Sequence, residues 1–247
     1  MDLFEDIDDP LLPFTLPDDD GYLVQWDKTL KGFNISIPNG ELFYAEHFFD
    51  KSISDRSLEY FLKNDSNEWM KMDWRNISGK ELDCIKFKNI KWKQDTINFY
   101  GKEHLLPRIT AWYGDQGKTY IYSGIKSEPH NWNKGLLYIK KSIEEVTDIN
   151  FNSVLLNWYR DGKDYLSWHA DDEKELGINP VIGSVNFGSS RDFMLRANDG
   201  SSKITIPLKH GTLLIMKGKT QHYWQHSVPK RLKNNEIRIN LTFRFIT

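Results

Sequence analysis

The strongest constraint on the fold is the series of short apolar and aromatic stretches that follows Phe151. Turn-forming dipeptides that contain glycine separate several of them, at 161–162, 199–200 and 210–211. Strand-length stretches at this spacing are typical of an antiparallel double sheet such as a jelly roll. The predicted strands are 152–160, 165–170, 181–187, 192–196, 203–208, 212–216, 223–228 and 236–246.

The preceding part of the chain adds helices. Residues 134–146 place Leu136, Ile139, Ile143 and Val146 on one face of a helix, because their spacing follows the helical repeat. Residues 55–63 form the second predicted helix, and 68–74, 83–92 and 96–100 alternate as strands do. We therefore predict a mainly β protein of the α+β type, in which flanking helices cover one outer face of the double sheet.

Charge is distributed unevenly along the 247 residues. Residues 1–20 carry eight acidic residues and no Lys or Arg, which predicts an acidic flexible tail. The remainder has 33 basic against 27 acidic residues, a balance that suits a polyanionic partner. No linker follows residue 20, so residues 21–247 are predicted to be a single domain.

The chain lacks features of several other protein classes. No apolar run approaches the roughly 20 residues that a membrane span needs, and no secretory signal is visible. Cys84 is the only cysteine, which excludes an internal disulfide and a zinc site built on several thiolates. We therefore expect an intracellular protein without a membrane partner, cytoplasmic if bacterial and nuclear if eukaryotic.

A histidine and a carboxylate two residues apart suggest a metal site. If residues 168–171 are extended, His169 and Asp171 project to the same face of the strand. Two histidines and one carboxylate on one face of an octahedron suit a non-haem Fe(II) oxygenase. The residues leave the third ligand open: His222 and His226 lie near a downstream strand, and His210 lies in a turn. Taken alone, a His-x-Asp sequence is an ordinary surface feature.

The last predicted strand alternates between polar and apolar residues. One face carries Arg238, Asn240, Thr242 and Arg244, and the other carries Ile239, Leu241, Phe243 and Phe245. The apolar face belongs in a core. The polar face fits either an edge strand with surface arginines or a pocket for carboxylates, which guanidinium groups bind with two parallel hydrogen bonds. A suitable dicarboxylate is 2-oxoglutarate, which also chelates iron.

Together these motifs resemble the AlkB-type Fe(II)/2-oxoglutarate dioxygenases, which repair alkylated nucleic acid. The resemblance extends over residues 96–247 and is closest to the DNA-repair branch. The segments that carry it are His169-x-Asp171, His226 in Trp-Gln-His-Ser-Val-Pro, Arg238-x-Asn-x-Thr-x-Arg244, Asn157-Trp-Tyr-Arg-Asp-Gly162, 184–193, 210–216 and Pro107-Arg108.

The resemblance implies a double-stranded β-helix (jelly-roll) core. Residues 21–130 would form a nucleotide-recognition region and residues 131–247 the catalytic core. It selects His226, with His169 and Asp171, as the ligands of Fe(II). It implies O2 and 2-oxoglutarate as co-substrates, and oxidative demethylation that releases formaldehyde, succinate and CO2. The side chains implied to bind 2-oxoglutarate are Asn157, Tyr159, Arg238, Asn240, Thr242 and Arg244.

The resemblance also implies how the substrate is handled. A methylated base in a duplex must leave the stack before it reaches the iron. The segment Phe99-Tyr100-Gly101-Lys102 resembles a base-flipping hairpin, with an aromatic wedge and with Lys102 for a phosphate. N1-Methyladenine and N3-methylcytosine are cationic, so a carboxylate beside the base would select them. The remaining substrate candidates are Tyr120, Tyr122, Ser123 and Asp172 at the base, and Arg108 with Lys86, Lys88, Lys91 and Lys93 at the backbone.

Other functions remain open on sequence grounds. The same machinery could act on methylated RNA or on a protein side chain, and the hairpin aromatics favour alkylated DNA, single-stranded or duplex. A nucleic-acid-binding module with a decayed site is the second alternative, although all the expected metal and arginine positions are filled. A zinc hydrolase is the third, but it leaves Arg238 and Arg244 without a role. We expect the protein to be a monomer.

Overall fold

Two antiparallel sheets form the core of the molecule. The computed structural model describes residues 9–66, 68, 71–99, 102–117, 120–122 and 125–247. The strands in these ranges are β1 (Leu23–Asp27), β2 (Gly32–Ile37), β3 (Gly40–Ala45), β4 (Thr96–Phe99), β5 (Lys102–Leu105), β6 (Ile109–Gly114), β7 (Tyr120–Tyr122), β8 (Ile125–Ser127), β9 (Ser153–Tyr159), β10 (Leu166–His169), β11 (Ile182–Gly188), β12 (Arg191–Ala197), β13 (Lys203–Leu208), β14 (Leu213–Lys217), β15 (Trp224–Val228) and β16 (Arg238–Arg244).

The larger sheet has eight strands in the order β1-β2-β3-β14-β11-β16-β9-β6, and the smaller has four in the order β10-β15-β12-β13. Strands β4 and β5 form a separate hairpin, as do β7 and β8. The predicted strands after residue 151 match β9 to β16, and the mainly β, jelly-roll prediction is confirmed. Strands β1 to β3 extend the larger sheet by pairing β3 with β14.

Four helices accompany the strands in the described ranges: α1 (Lys51–Leu62), α2 (Gly79–Cys84), α3 (Lys134–Thr147) and the single turn α4 (Thr220–Tyr223). Helix α1 begins at Asp50, whose side chain accepts a hydrogen bond from the Ile53 backbone N–H at 2.8 Å. The predicted helix at 134–146 is confirmed by α3, and the predicted helix at 55–63 is the second half of α1. No helix in the described part of the chain is long and apolar enough to cross a membrane.

Two predicted strands before β4 are wrong. Residues 71–73, in the described end of the first, lead into a 3-10 turn at Trp74–Asn76, and residues 83–92 begin inside α2. Helix α2 begins at Ser78, which forms a capping box with Glu81. Beyond α2 the buried Phe87, Ile90 and Trp92 pack against the core, so burial alternates without a ladder of strand pairs.

The two faces of the larger sheet pack against different partners. One face packs on α1 and α3 through residues such as Phe61, Ile139 and Phe187. The other faces the smaller sheet, where Tyr44 and Met216 share a core with residues of β12 and β13. The space between the two sheets is therefore bordered by β11 and β16 of the larger sheet and by β10 of the smaller.

The acidic segment predicted to be a flexible tail is anchored in its described part. Leu12, Phe14 and Leu16 pack against the core between the sheets. The Phe14 ring meets the edge of Tyr44, with ring centroids 5.1 Å apart. The prediction of a flexible tail rested on the acidic residues alone. Burial of the apolar side chains among them lowers the free energy of the folded state.

Candidate active site

Strand β16 is central in the larger sheet, not an edge strand. It pairs with β11 on one side and with β9 on the other. Ile239, Leu241 and Phe243 lie in the helix-side core. The polar face therefore points between the two sheets, which excludes an edge strand with ordinary surface arginines. Arg238, Asn240, Thr242 and Arg244 all line a cavity there.

Strands β10 and β15 bring two histidines together. His169 lies opposite His226 in this antiparallel pair, after an irregularity in register between Leu166 and His169. The two imidazole centroids are 4.1 Å apart, and Phe193 stacks against the His226 ring at 5.1 Å. Asp171 lies two residues beyond the end of β10, and its backbone N–H donates to Gln221 Oε1 at 2.9 Å. The sheet thus aims both rings and the carboxylate into one space.

These three side chains form a cluster suited to a metal ion. One potential ligand atom from each of His169, Asp171 and His226 lies within 4.8 Å of the others. Asp171 Oδ2 is buried, makes no hydrogen bond with the described residues, and lies 3.9 Å from His226 Nε2. The Nδ1 atom of His169 lies 2.8 Å from the Ser167 carbonyl, which is an acceptor, so that Nε2 is the nitrogen that the neutral ring can offer to a metal. The donor set therefore fits a 2-His-1-carboxylate site.

Burial and charge keep these groups in the protonation states that bind a metal. Burial, followed by the charge of His169, lowers the pKa of the His226 imidazole to about 3, so that it is neutral at pH 7. Burial would raise the pKa of the Asp171 carboxyl, but the opposing charges, of which Arg244 is the strongest, lower it to about 2. A neutral imidazole and an ionised carboxylate are the forms that coordinate metals.

Arg244 connects the carboxylate ligand to the polar face of β16. Its Nη2 donates to Asp171 Oδ1 at 2.6 Å, and both side chains are almost fully buried. A charge-assisted hydrogen bond of this length fixes the orientation of the carboxylate. Oδ2 of Asp171 is thereby left facing the two histidines.

Arg238 is a buried cation whose hydrogen-bonding capacity is only partly used. It is 1% exposed, donates through Nη2 to Asn186 Oδ1, and stacks on the Tyr159 ring at 4.9 Å. Its Nε and Nη1 make no hydrogen bond within the described part of the chain. Burial lowers the pKa of the guanidinium to about 10, so the group stays charged. A buried cation with donors to spare is costly unless an anion binds it.

A single cavity between the two sheets joins the two halves of the site. All nine residues predicted to bind metal or 2-oxoglutarate line it: Asn157, Tyr159, His169, Asp171, His226, Arg238, Asn240, Thr242 and Arg244. The cluster at one part of the cavity and the arginine at another can bind a metal and a dicarboxylate together.

Three polar residues at the site were not singled out individually from the sequence: Ser184 lines the cavity, and Asn186 and Gln221 hydrogen-bond to Arg238 and Asp171. Ser184 and Asn186 lie on β11, and Asn240 donates to Ser184 Oγ at 2.8 Å. The sequence signals for Ser184 and Asn186 are their alternation along β11 and their place in the resembling segment 184–193. Gln221, which holds the Asp171 backbone, lies in α4 and gives no such signal.

Arg108 does not lie at the surface, which corrects its predicted role as a contact to a nucleic-acid backbone. It is 2% exposed, lines the cavity, and donates through Nε to Asn157 Oδ1 at 2.8 Å. The alternation of β6 turns it inward beside β9. His222 is exposed and hydrogen-bonds to the Ile178 carbonyl, outside the metal cluster.

The other predicted substrate residues are described only in part. Phe99 ends β4 and Lys102 begins β5, while Tyr100 and Gly101 lie outside the described residues. Tyr120 and Tyr122 lie in β7, and Ser123 is outside the described residues. Asp172 is exposed next to the buried Asp171. Their predicted contacts with a base stay predictions.

The fold and the cavity define a class of protein, namely non-haem metal oxygenases with a jelly-roll core and a dicarboxylate co-substrate. Residues 42–244 match the 2OG-Fe(II) oxygenase superfamily. The chain is 42% identical over 200 residues to human DNA oxidative demethylase ALKBH2, an alignment that covers 70% of this chain and 77% of that protein. The chain therefore belongs to the AlkB-type 2OG-Fe(II) oxygenases.

A second group of relatives is matched over less of its length. Bovine alpha-ketoglutarate-dependent dioxygenase alkB homolog 3 is 46% identical over 180 residues, which cover 68% of this chain and 62% of the relative. The human protein of the same name is 44% identical over 183 residues, 69% of this chain and 63% of the relative. The chain thus spans less than two thirds of these relatives. Membership of the family implies Fe(II) and 2-oxoglutarate.

Proposed function

We propose that this protein is an Fe(II)/2-oxoglutarate-dependent oxidative demethylase that repairs N1-methyladenine and N3-methylcytosine in DNA. The observation that carries the proposal is the shared cavity, in which the His169–Asp171–His226 cluster faces the same space as the partly unpartnered Arg238. The name of the ALKBH2 relatives, DNA oxidative demethylase, supports the choice of reaction and substrate.

Each half of the cavity has a defined task in this reaction. His169, Asp171 and His226 would hold Fe(II), and Arg244 would keep the Asp171 carboxylate turned toward the ion. Arg238 would bind one carboxylate of 2-oxoglutarate through its free donors, with Tyr159 covering the guanidinium. Bound Fe(II) supplies oxygen activation coupled to the decarboxylation of 2-oxoglutarate.

The chain also has to exclude water and orient the methyl group. Phe193 and Leu166 line the cavity beside the histidines and limit access of water to the cluster. Oxidation of the N-methyl group gives an N-hydroxymethyl product, which loses formaldehyde and leaves the repaired base. The hairpin β4–β5 would assist base flipping, with Tyr120, Tyr122 and Ser123 at the base and Asp172 at its edge.

The test is product release from defined oligonucleotides. Purified protein with Fe(II), ascorbate and 2-oxoglutarate should release formaldehyde and succinate from methylated single-stranded DNA, and Asp171→Ala should reduce both to background. Parallel reactions with duplex DNA and with RNA establish substrate preference. Absence of both products with every methylated oligonucleotide would overturn the proposal.

We further propose that the protein acts as a monomer inside the cell, on DNA and not at a membrane. The single cysteine agrees with a reducing compartment. Size-exclusion chromatography with light scattering tests the oligomeric state, and a dimer mass would contradict it.

A further inference from the structure

Four exposed lysines lie on the segment between α2 and β4: Lys86, Lys88, Lys91 and Lys93, here called the lysine ridge. The intervening Phe87, Ile90 and Trp92 are buried. Trp92 Nε1 donates to the Phe61 carbonyl at 2.9 Å, and the Lys91 backbone N–H donates to Tyr113 Oη at 2.8 Å. The ridge is therefore held by its buried side and presents its charges to solvent.

The last two lysines of the ridge share the face of the sheet that carries the cavity. Lys93 and Thr110 exchange two backbone hydrogen bonds of 2.9 and 2.8 Å, so they lie directly opposite each other. Thr110 lies opposite Asn157, which lines the cavity. Opposite residues of antiparallel neighbours point to the same face. Lys91 is exposed between the buried Ile90 and Trp92, so it projects away from the helix-side core as Lys93 does. Lys91 and Lys93 therefore lie beyond β6 on the cavity side.

The ridge also lies at the base of the β4–β5 hairpin. The Leu106 backbone N–H donates to the Asp95 carbonyl at 2.8 Å, which closes the hairpin two residues after Lys93. Gln94 Nε2 donates to the Leu106 carbonyl at 2.8 Å and holds the same base. A strand contacting the hairpin would thus pass close to Lys91 and Lys93.

Acidic neighbours only partly neutralise the ridge. Lys93 pairs with Asp95 at 2.9 Å and Lys88 with Asp65 at 4.0 Å. In the described ranges neither Lys86 nor Lys91 takes part in an ion pair. The charges of Lys91 and Lys93, after burial, lower the pKa of the nearby His130 imidazole, which agrees with an excess of positive charge there.

We propose that the lysine ridge binds the sugar-phosphate backbone of the nucleic-acid strand that delivers its base to the cavity. The proposal rests on the proposed function for the choice of polyanion. In extended backbone, Lys91 and Lys93 would stand roughly 6.6 Å apart, close enough for both to reach phosphates of one strand. Lysines bind phosphates largely through release of condensed counterions, which needs no base recognition.

The test compares two double variants that remove the same charge. Lys91→Gln with Lys93→Gln changes the ridge. Lys28→Gln with Lys31→Gln is the control, because these exposed lysines lie beside β1 at the opposite edge of the same sheet. The two double variants also match in their ion pairs, because each removes one lysine that has a carboxylate partner: Lys28 with Asp9 at 3.4 Å, and Lys93 with Asp95 at 2.9 Å.

Fluorescence anisotropy with an unmethylated single-stranded oligonucleotide gives the affinity between roughly 50 and 200 mM salt. The ridge variant should bind on the order of tenfold more weakly, and its dependence of log K on log salt should be shallower by about 1.4. The control should match the wild type. Unchanged affinity and slope in the ridge variant, or an equal loss in the control, would overturn the proposal.

Kinetics separate this proposal from the proposed function. The ridge variant should raise KM for a long methylated oligonucleotide, leaving kcat and the turnover of a methylated mononucleotide unchanged. The anisotropy arm involves no chemistry, so it gives a result even if no demethylation occurs. Loss of binding to polyglutamate without loss for the oligonucleotide would assign the ridge to an acidic protein instead. If the ridge variant melts early, Lys86→Gln with Lys88→Gln replaces it, with the same outcomes expected.

Discussion

Arg238 provides the clearest chemical signal at the scale of single residues. It is among the largest fully buried side chains, and only its Nη2 atom has a hydrogen-bond acceptor in the described structure. Burying a guanidinium is costly, and the cost is offset when an anion binds the remaining donors. Because Arg238 also lines the cavity, its unused donors favour a pocket for an anion over a purely structural polar strand.

Substituting Arg238 should mainly affect 2-oxoglutarate. Arg238→Lys keeps the charge but loses the planar, two-pronged donor, so KM for 2-oxoglutarate should rise by on the order of 30-fold. Arg196→Lys is the matched control. Arg196 is exposed, its guanidinium lies 4.4 Å from the centroid of the Trp168 ring, and it does not line the cavity. Steady-state kinetics at saturating nucleic acid measures both. An unchanged KM in Arg238→Lys would remove Arg238 from the co-substrate site.

Two histidines four residues apart should behave differently. His226 is in the metal cluster, whereas His222 is exposed and hydrogen-bonded to the Ile178 carbonyl. His226→Ala should lose metal binding, and His222→Ala should keep it, as measured by metal content after dialysis against Mn(II). Equal metal content in both variants would contradict the assignment.

The residues alone could not make that distinction. Both histidines stand near the same predicted strand, and the choice depends on where α4 ends and β15 begins. The turn of α4 leaves His222 outside, and the pairing of β15 with β10 places His226 opposite His169. Only the resemblance to known dioxygenases supplied this information from the sequence.

At the scale of elements, sequence patterning predicted the second half of the chain well. Strands such as β9, β11 and β16 have regular side-chain alternation and end at turn residues, so local pattern and tertiary structure agree. The segment before β4 failed for a physical reason. Phe87, Ile90 and Trp92 are buried by packing against the helix-side core. Buried apolar residues that alternate with exposed lysines give the same sequence pattern as a strand.

Helix α3 should depend strongly on Asn133. Its Oδ1 accepts from the Leu136 backbone N–H at 3.0 Å and from Tyr60 Oη at 3.1 Å, and its Nδ2 donates to the Asn89 carbonyl at 2.9 Å. Asn133→Ala should lower the free energy of unfolding by about 2 kcal/mol, since a cap and further hydrogen bonds are lost.

Asn133→Asp is the matched comparison for urea unfolding. It keeps the capping oxygen, and its negative charge at a helix N-terminus partly offsets the loss of the donor to Asn89, whose carbonyl then faces a carboxylate oxygen. It should therefore lose less stability than Asn133→Ala. Equal losses in the two variants would show that the cap itself contributes little.

At the scale of the whole molecule, the two faces of the larger sheet have different roles. Its helix-side face carries a large apolar core, and its other face carries the polar cavity. The candidate metal ligands come from the smaller sheet and its flanking loop, while Arg238 and Arg244 come from the larger. The site therefore exists only when the two sheets are packed together. Sequence motifs and the resemblance singled out these candidate ligands, but not the inward turn of Arg108 or the packing of Phe14, because both depend on contacts between distant segments.

Ligand binding should consequently stabilise the entire fold. Ligands that bind only the native state stabilise it by about 2.7 kcal/mol at a concentration 100 times their Kd. Mn(II) with 2-oxoglutarate should raise Tm by several degrees in the wild type and not in Asp171→Ala. Differential scanning fluorimetry measures the shift. A shift of equal size in Asp171→Ala would place ligand binding elsewhere.

The central claim is that one cavity holds the metal and 2-oxoglutarate side by side. Isothermal titration calorimetry of 2-oxoglutarate into the protein, without oxygen and with or without Mn(II), tests it most directly. We predict a single saturable site in the presence of Mn(II), with affinity greatly reduced when Mn(II) is omitted or when Asp171 is replaced by Ala. Binding of equal affinity under all three conditions would contradict the shared site.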